Sequence, residues 1–121
     1  MTPLAEALAL VRSRLDGTLT VLLMDLDGIV VARASDAAPI ADELLAASIA
    51  GLLRRADDSA RDTDLGPAVE LTIASPRGRI VAHRMETPHA LVVLLQPDAL
   101  AGRARHELRL AAERLGPELA A

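Results

Sequence analysis

A chain of 121 residues, 51% hydrophobic and 25% charged, has the size of one domain and enough apolar material for a core, so one folded domain over residues 1–121 is expected. A net charge of −4 and the absence of Phe, Tyr and Trp speak against duplex binding through phosphate neutralisation and against single-strand binding by base stacking, so no nucleic-acid partner is expected. Without cysteine there are no disulfides or thiolate metal sites, and with charges at Glu6, Arg12 and Arg14 and no long apolar run the expectation is a cytoplasmic chain that does not insert into membranes.

In chain order, Pro3 followed by Leu4, Leu8, Val11 and Leu15 makes the stripe of an amphipathic helix that Gly17 closes. Thr18 to Met24 and Ile29 to Ala32 are β-rich runs joined by Asp25-Leu26-Asp27-Gly28, the residue choice of a hairpin turn. From Asp36 or Pro39 to about Ala60 the apolar residues Ile40, Leu44, Leu45, Ile49, Leu52 and Leu53 recur at helical spacing. Ala46, Ala47, Ala50 and Gly51 lie among them, and such small residues let a second helix come close.

Val69, Leu71 and Ile73 alternate with polar or small residues, as on a strand with one wet face, which suits a sheet edge. Ser75-Pro76-Arg77-Gly78 has the composition of a type I turn, returning the chain antiparallel along Arg79 to Arg84. Thr87-Pro88 reverses it again into Leu91 to Leu95, a run with no polar position that belongs at the centre of a sheet. Pro97-Asp98 opens a last helix carrying Leu100, Ala104, Leu108, Ala111 and Leu115, which Gly116-Pro117 should end. The order is αββαβββα.

Two carboxylates in Val-Leu-Leu-Met-Asp25-Leu-Asp27-Gly28 resemble the first motif of haloacid dehalogenase-like phosphatases, where one Asp is nucleophile, the second general acid, and Mg²⁺ binds between oxygens. That chemistry also calls for a cation opposite the phosphoryl group, normally Lys, and this chain has no Lys; Asp57-Asp58 ends a helix where the second acidic pair belongs at a strand tip. The turn reading of Asp25 and Asp27 is therefore preferred, with the Mg-dependent phosphatase as a rival. His83, His89 and His106 lack the i, i+4 spacing of a helical metal site, and Gly51 and Gly102 stand alone, so neither metal nor cofactor is expected.

The element order, the strand-Asp25-Leu-Asp27-Gly28-strand hairpin, the apolar Leu91 to Leu95 and the final helix with Glu107-Leu108-Arg109 together resemble the Roadblock/dynein light-chain family over about Leu4 to Leu115. The resemblance implies an α+β fold of the profilin-like type: a five-stranded antiparallel sheet, with the long middle helix on one face and the two terminal helices on the other. It also implies a non-catalytic homodimer that extends the sheet through its third strand and packs the two middle helices together. Carried onto this chain, the dimer interface falls on Leu45, Ile49, Ala50, Leu53, Val69, Glu70, Leu71, Thr72 and Ile73. Many bacterial members regulate or scaffold a Ras-like small GTPase, which would place partner contacts at Glu43, Ala46, Ala47, Arg54 and Arg55. Pairing at the third strand agrees with physical expectation, because an open sheet edge is a hazard that symmetric pairing removes. A second rival is a profilin-like module holding a small ligand between sheet and helix.

Overall fold

The computed structural model describes residues 2–35 and 41–120. α1 (Pro3–Arg14) starts where the Thr2 hydroxyl accepts the Ala5 amide at 3.1 Å and Pro3 fills the first helical position, where no amide hydrogen is needed. It leads through Gly17, at φ +83°, into β1 (Thr18–Asp25). β2 (Val30–Ser35), α2 (Asp42–Asp62), β3 (Glu70–Ser75), β4 (Gly78–Arg84), β5 (His89–Leu95) and α3 (Ala101–Ala120) follow, giving the expected order.

The five strands form one antiparallel sheet in the order β2-β1-β5-β4-β3. β5 is central and its residues Ala90 to Leu95 are buried on both faces, as an apolar run without alternation requires. β3 is one edge and β2 the other.

Alternation along the strands divides the interior in two. Val21, Leu23, Val81, Leu91, Val93 and Leu95 meet Leu8 and Val11 of α1 and Leu108, Ala111 and Leu115 of α3. On the other face Leu22, Met24, Ala82, Val92 and Leu94 meet Leu45, Ala46, Ile49, Ala50 and Leu53 of α2. The middle helix thus covers one face and the terminal helices the other.

Several boundaries differ from expectation. α2 begins at Asp42; the start anticipated at Asp36 or Pro39 lies outside the described residues. α3 begins at Ala101, after a turn in which the Ala99 amide donates to the Gln96 carbonyl at 3.1 Å. It also runs through Gly116-Pro117 to Ala120 instead of stopping there. A helical proline forgoes one amide hydrogen bond and crowds the carbonyl four residues back, but with no Cβ on Gly116 the further clash with the preceding residue is relieved; Leu119 then packs against the core and holds the last turn in place.

α2 ends in a six-residue capping pattern of the Schellman type. The Leu65 amide donates to the Ala60 carbonyl at 3.0 Å and the Asp64 amide to the Arg61 carbonyl at 3.2 Å, with Asp64 at φ +60°. Among the described residues Asp64 is the only non-glycine at positive φ.

Candidate functional site

Asp25, the residue on which a phosphatase would depend, is committed to its own turn. Its Oδ1 accepts the backbone amides of Asp27 and Ile29, both at 3.0 Å, while its carbonyl accepts the Gly28 amide at 3.1 Å. Gly28 sits at φ +90° against α2, where an added Cβ would lie 3.0 Å from the Ala47 Cα. The glycine is needed both for its dihedral and for this close approach. The strands are antiparallel, and Asp57 pairs with Arg84 on β4 instead of completing an acidic centre with Asp25.

The two sheet edges and the outer side of α2 are exposed. β3 is an open edge whose polarity follows from its ladder. The Arg84 amide donates to the Val69 carbonyl at 2.7 Å, so residues 69 and 84 form a hydrogen-bonded pair. Antiparallel pairs alternate, which makes Glu70–His83, Thr72–Val81 and Ala74–Arg79 the non-bonded pairs. The backbone N–H and C=O groups of Glu70, Thr72 and Ala74 therefore point away from β4, into the open. Leu71 and Ile73 turn to the α2 face and are half-buried, as is Ile80 opposite Ile73. Val69, just before the strand, is 53% exposed.

β3 is held at its start by a clamp. Arg84 Nη1 donates to Asp57 Oδ1 at 2.6 Å and to the Ala68 carbonyl at 3.2 Å, and the Ala68 amide donates to the same Asp57 oxygen at 2.9 Å. The Arg84 hydrogen bond is the main reason that the Asp57 carboxyl titrates below its ordinary range, with the Ala68 amide adding to it.

The expected dimer residues divide into two groups. Val69, Glu70, Leu71, Thr72 and Ile73 do lie on or beside the open edge. Leu45, Ile49, Ala50 and Leu53 do not lie on a free surface: each is at most 3% exposed, and all four are spent against the sheet of their own protomer. Ala46, expected to touch a partner, is fully buried with them. The sequence showed a broad apolar and small face on α2, and periodicity alone could not tell which stripe of it faces inward.

At 3.6 residues per turn the outward surface of α2 has two distinct sides. Gly28 approaches Ala46, Ala47 and Ala50, which fixes the side toward the hairpin. Glu43, Ala47 and Arg54 share that side, all exposed, near Ile29 at the hairpin tip, which is 62% exposed. Turned away from the hairpin are the exposed Ser48 and the half-buried Leu52, with Leu44, Gly51 and Arg55 on the crest between. Leu44 is 61% exposed, although it belongs to the apolar series that marks the helix in the sequence. Its neighbour Leu45 is the one that turns inward, and nothing short of the packed helix distinguishes the two.

A polar network anchors the N-terminus of α2. The buried Asp42 carboxylate accepts Thr20 Oγ1 at 3.2 Å, Ser35 Oγ at 2.9 Å and Arg33 Nη1 at 3.2 Å, and Thr20 Oγ1 also meets Ser35 Oγ. Its position in the first turn lets it interact with the positive end of the helix dipole. Arg33 Nη2 donates to Glu43 Oε1 at 2.6 Å, which lowers the Glu43 carboxyl and raises the Arg33 guanidinium. Glu43 is thus exposed but already paired. No residue pattern around Arg33 signalled this arrangement, since it depends on β2 and α2 being brought together.

A cavity of about 250 Å³ opens where α1 ends and α3 begins, lined by Leu15, Gly17, Leu95, Ala99, Leu100 and Arg103. Its polar groups include the exposed Asp16 and Asp98. Among the described residues no helix is long and apolar enough to cross a membrane.

The family model described as Roadblock/LC7 domain matches residues 4–95, well over half of the chain and ending with the central strand. A Roadblock/LC7 domain from Streptomyces avermitilis superposes with TM-score 0.89 at 19% identity, over 99% of this chain and 100% of that one. The gliding protein MglB from Thermus thermophilus gives TM-score 0.88 at 19% identity, over 97% of this chain and 88% of that one. MglB from Myxococcus xanthus gives 0.85 at 16% identity, over 95% and 93%. No curated protein matches by sequence. The structural likeness extends through α3, beyond the segment that the family model matches, and together with that match it places the chain in the Roadblock/LC7 family.

Proposed function

We propose that the chain is a single-domain, non-catalytic interaction module that works as a homodimer and regulates or scaffolds a Ras-like small GTPase in the cytoplasm. The observation that carries the dimer is the β3 edge, with three residues of outward-pointing backbone groups beside the half-buried Leu71 and Ile73. Unpaired edges invite pairing, and a two-fold axis at β3 would join two sheets into one of ten strands. Val69, Glu70, Leu71, Thr72 and Ile73 form the strand part of this seam. Ser48 and Leu52 of α2 form its helical part, in place of the inward stripe. Covering Leu52, Leu71, Ile73 and Ile80 adds apolar burial worth about 25 cal/mol per Å² to the new backbone hydrogen bonds.

The second surface is the hairpin side of α2, with Glu43, Ala47 and Arg54, the crest residue Arg55 and the apolar Ile29 at its rim. Glu43 is engaged by Arg33, whereas Arg54 and Arg55 are exposed helix positions suited to an acidic partner surface. A regulator of this kind can act by docking alone, or by positioning the GTPase's own residues without contributing an Arg finger.

Sedimentation tests the dimer directly. Thr72→Pro removes an outward amide without touching the β3–β4 ladder, so it should leave a folded protomer that no longer associates. A chain that remains a dimer with this substitution would place the seam elsewhere. For the partner, Ras-like GTPases loaded with GDP or a GTP analogue are titrated against the wild type and an Arg54→Ala, Arg55→Ala variant. Tight binding in one nucleotide state, weakened at least tenfold by the double substitution, is expected; no binding in either state removes the GTPase part of the reading.

A further inference from the structure

His83 stands opposite Glu70 in the β3–β4 register, on the face covered by α3. Its Nδ1 is buried without a hydrogen-bond partner and lies 3.9 Å from Glu70 Oε1, too far for a hydrogen bond. The same Glu70 oxygen accepts Arg109 Nη2 of α3 at 3.3 Å. One carboxylate on the edge strand therefore stands between two candidate partners, a fixed cation on α3 and a titratable ring on β4.

Among the described residues, the charges that act on His83 are those of Glu70 and Arg109. β5 presents the apolar Leu91 beside His83. Arg84, next along β4, points to the opposite face and is held by Asp57. On α3, His106 and Glu113 flank Arg109 by one turn and are exposed, and Arg105 is half-exposed.

We propose that Glu70, His83 and Arg109 form a proton-operated switch: neutral His83 leaves Glu70 with Arg109, and protonated His83 draws it inward, releasing α3 from the edge strand. The exchange follows from geometry and donor inventory. A neutral imidazole offers Glu70 one weak donor at most, whereas the imidazolium offers a charged N–H at Nδ1, 3.9 Å from the Glu70 acceptor. A small side-chain rotation of the half-exposed Glu70 closes that gap and lengthens its contact with Arg109. Burial chiefly lowers the proton affinity of His83, Glu70 raises it and Arg109 lowers it, so removing either neighbour has an opposite effect on the titration.

Any consequence for self-association rests on the proposed β3 seam; the switch itself does not. The test is the NMR titration midpoint of the His83 ring in wild type, Glu70→Gln, Arg109→Gln and the double variant. Glu70→Gln should lower the midpoint and Arg109→Gln should raise it. If Arg109 acts by competing for Glu70, its substitution should raise the midpoint markedly less in the Glu70→Gln background. A midpoint unmoved by Glu70→Gln, or an Arg109 effect of equal size in both backgrounds, overturns the switch. Sedimentation of the same samples keeps the two readings apart, because a monomer at every pH removes the seam and leaves the switch to be judged on the titration.

Discussion

At the scale of single residues, the positions that depart from ordinary chemistry are the ones that bend the chain or hold a charge inside it. Asp64 takes a left-handed conformation that L side chains adopt at a cost, in a capping position that glycine usually fills. Asp64→Gly relieves that cost and should raise stability by about 0.5–1 kcal/mol in urea melts, net of glycine's greater freedom in the unfolded chain. No gain would mean that the Asp64 side chain compensates locally. Asp25 and Gly28 work as a pair, one satisfying two turn amides and the other allowing the hairpin to touch α2, and both were legible as turn residues from their order in the sequence. Thr20, Ser35, Arg33 and Asp42 were not: no spacing connects residues 20, 33, 35 and 42, and only strand register and helix placement bring them together.

Among the elements, α2 shows how a helix can be recognised while its inward face is misread. Leu44, Leu45, Ile49, Leu52 and Leu53 fit one broad helical stripe, but the sheet takes Leu45, Ile49 and Leu53 and leaves Leu44 exposed. Leu53→Ala should therefore cost about 2–5 kcal/mol of protomer stability, whatever the oligomeric state, because it opens a cavity in a packed core. A Ser48→Glu substitution at the proposed seam should instead leave the protomer's unfolding free energy in urea melts within about 0.5 kcal/mol of wild type while weakening self-association in sedimentation. If the two substitutions behaved alike, the division of α2 into an inward and an outward face would be wrong. β5 presents the opposite case. Its short run without a polar position, set off by the turn residues Thr87-Pro88 and Pro97-Asp98, reads as a buried strand, and it is the centre of the sheet.

For the whole molecule, acidification should act in two steps. Burial lowers His83 from its ordinary value near 6.5, so the native state holds fewer protons than the unfolded chain between the two values. The stability linked to His83 is therefore fully present above pH about 6.5 and is lost as pH falls below it. Asp57 is also lowered, by Arg84 first and the Ala68 amide as well. Its contribution is present above the ordinary Asp value of about 3.9 and is lost as pH falls through the lower native one. Thermal melts from pH 8 to pH 3 should show both declines, with His83→Gln abolishing the first and Asp57→Asn flattening the second. A melting temperature constant from pH 8 to pH 5 would contradict the burial of His83.

The residue order by itself determined the number and kind of elements, the antiparallel hairpins, the central place of Leu91 to Leu95 and the edge character of the strand after Val69, because each of these is written in local periodicity and turn chemistry. Tertiary structure alone decided which of two adjacent leucines on α2 faces the core, how Asp42 and Asp57 find their arginines, and that α3 continues past Gly116-Pro117. Those outcomes depend on packing between segments far apart in the chain, where a helical stripe wider than its contact must be trimmed by the sheet and where a buried charge or a proline-bearing turn is tolerated only if a distant partner supports it.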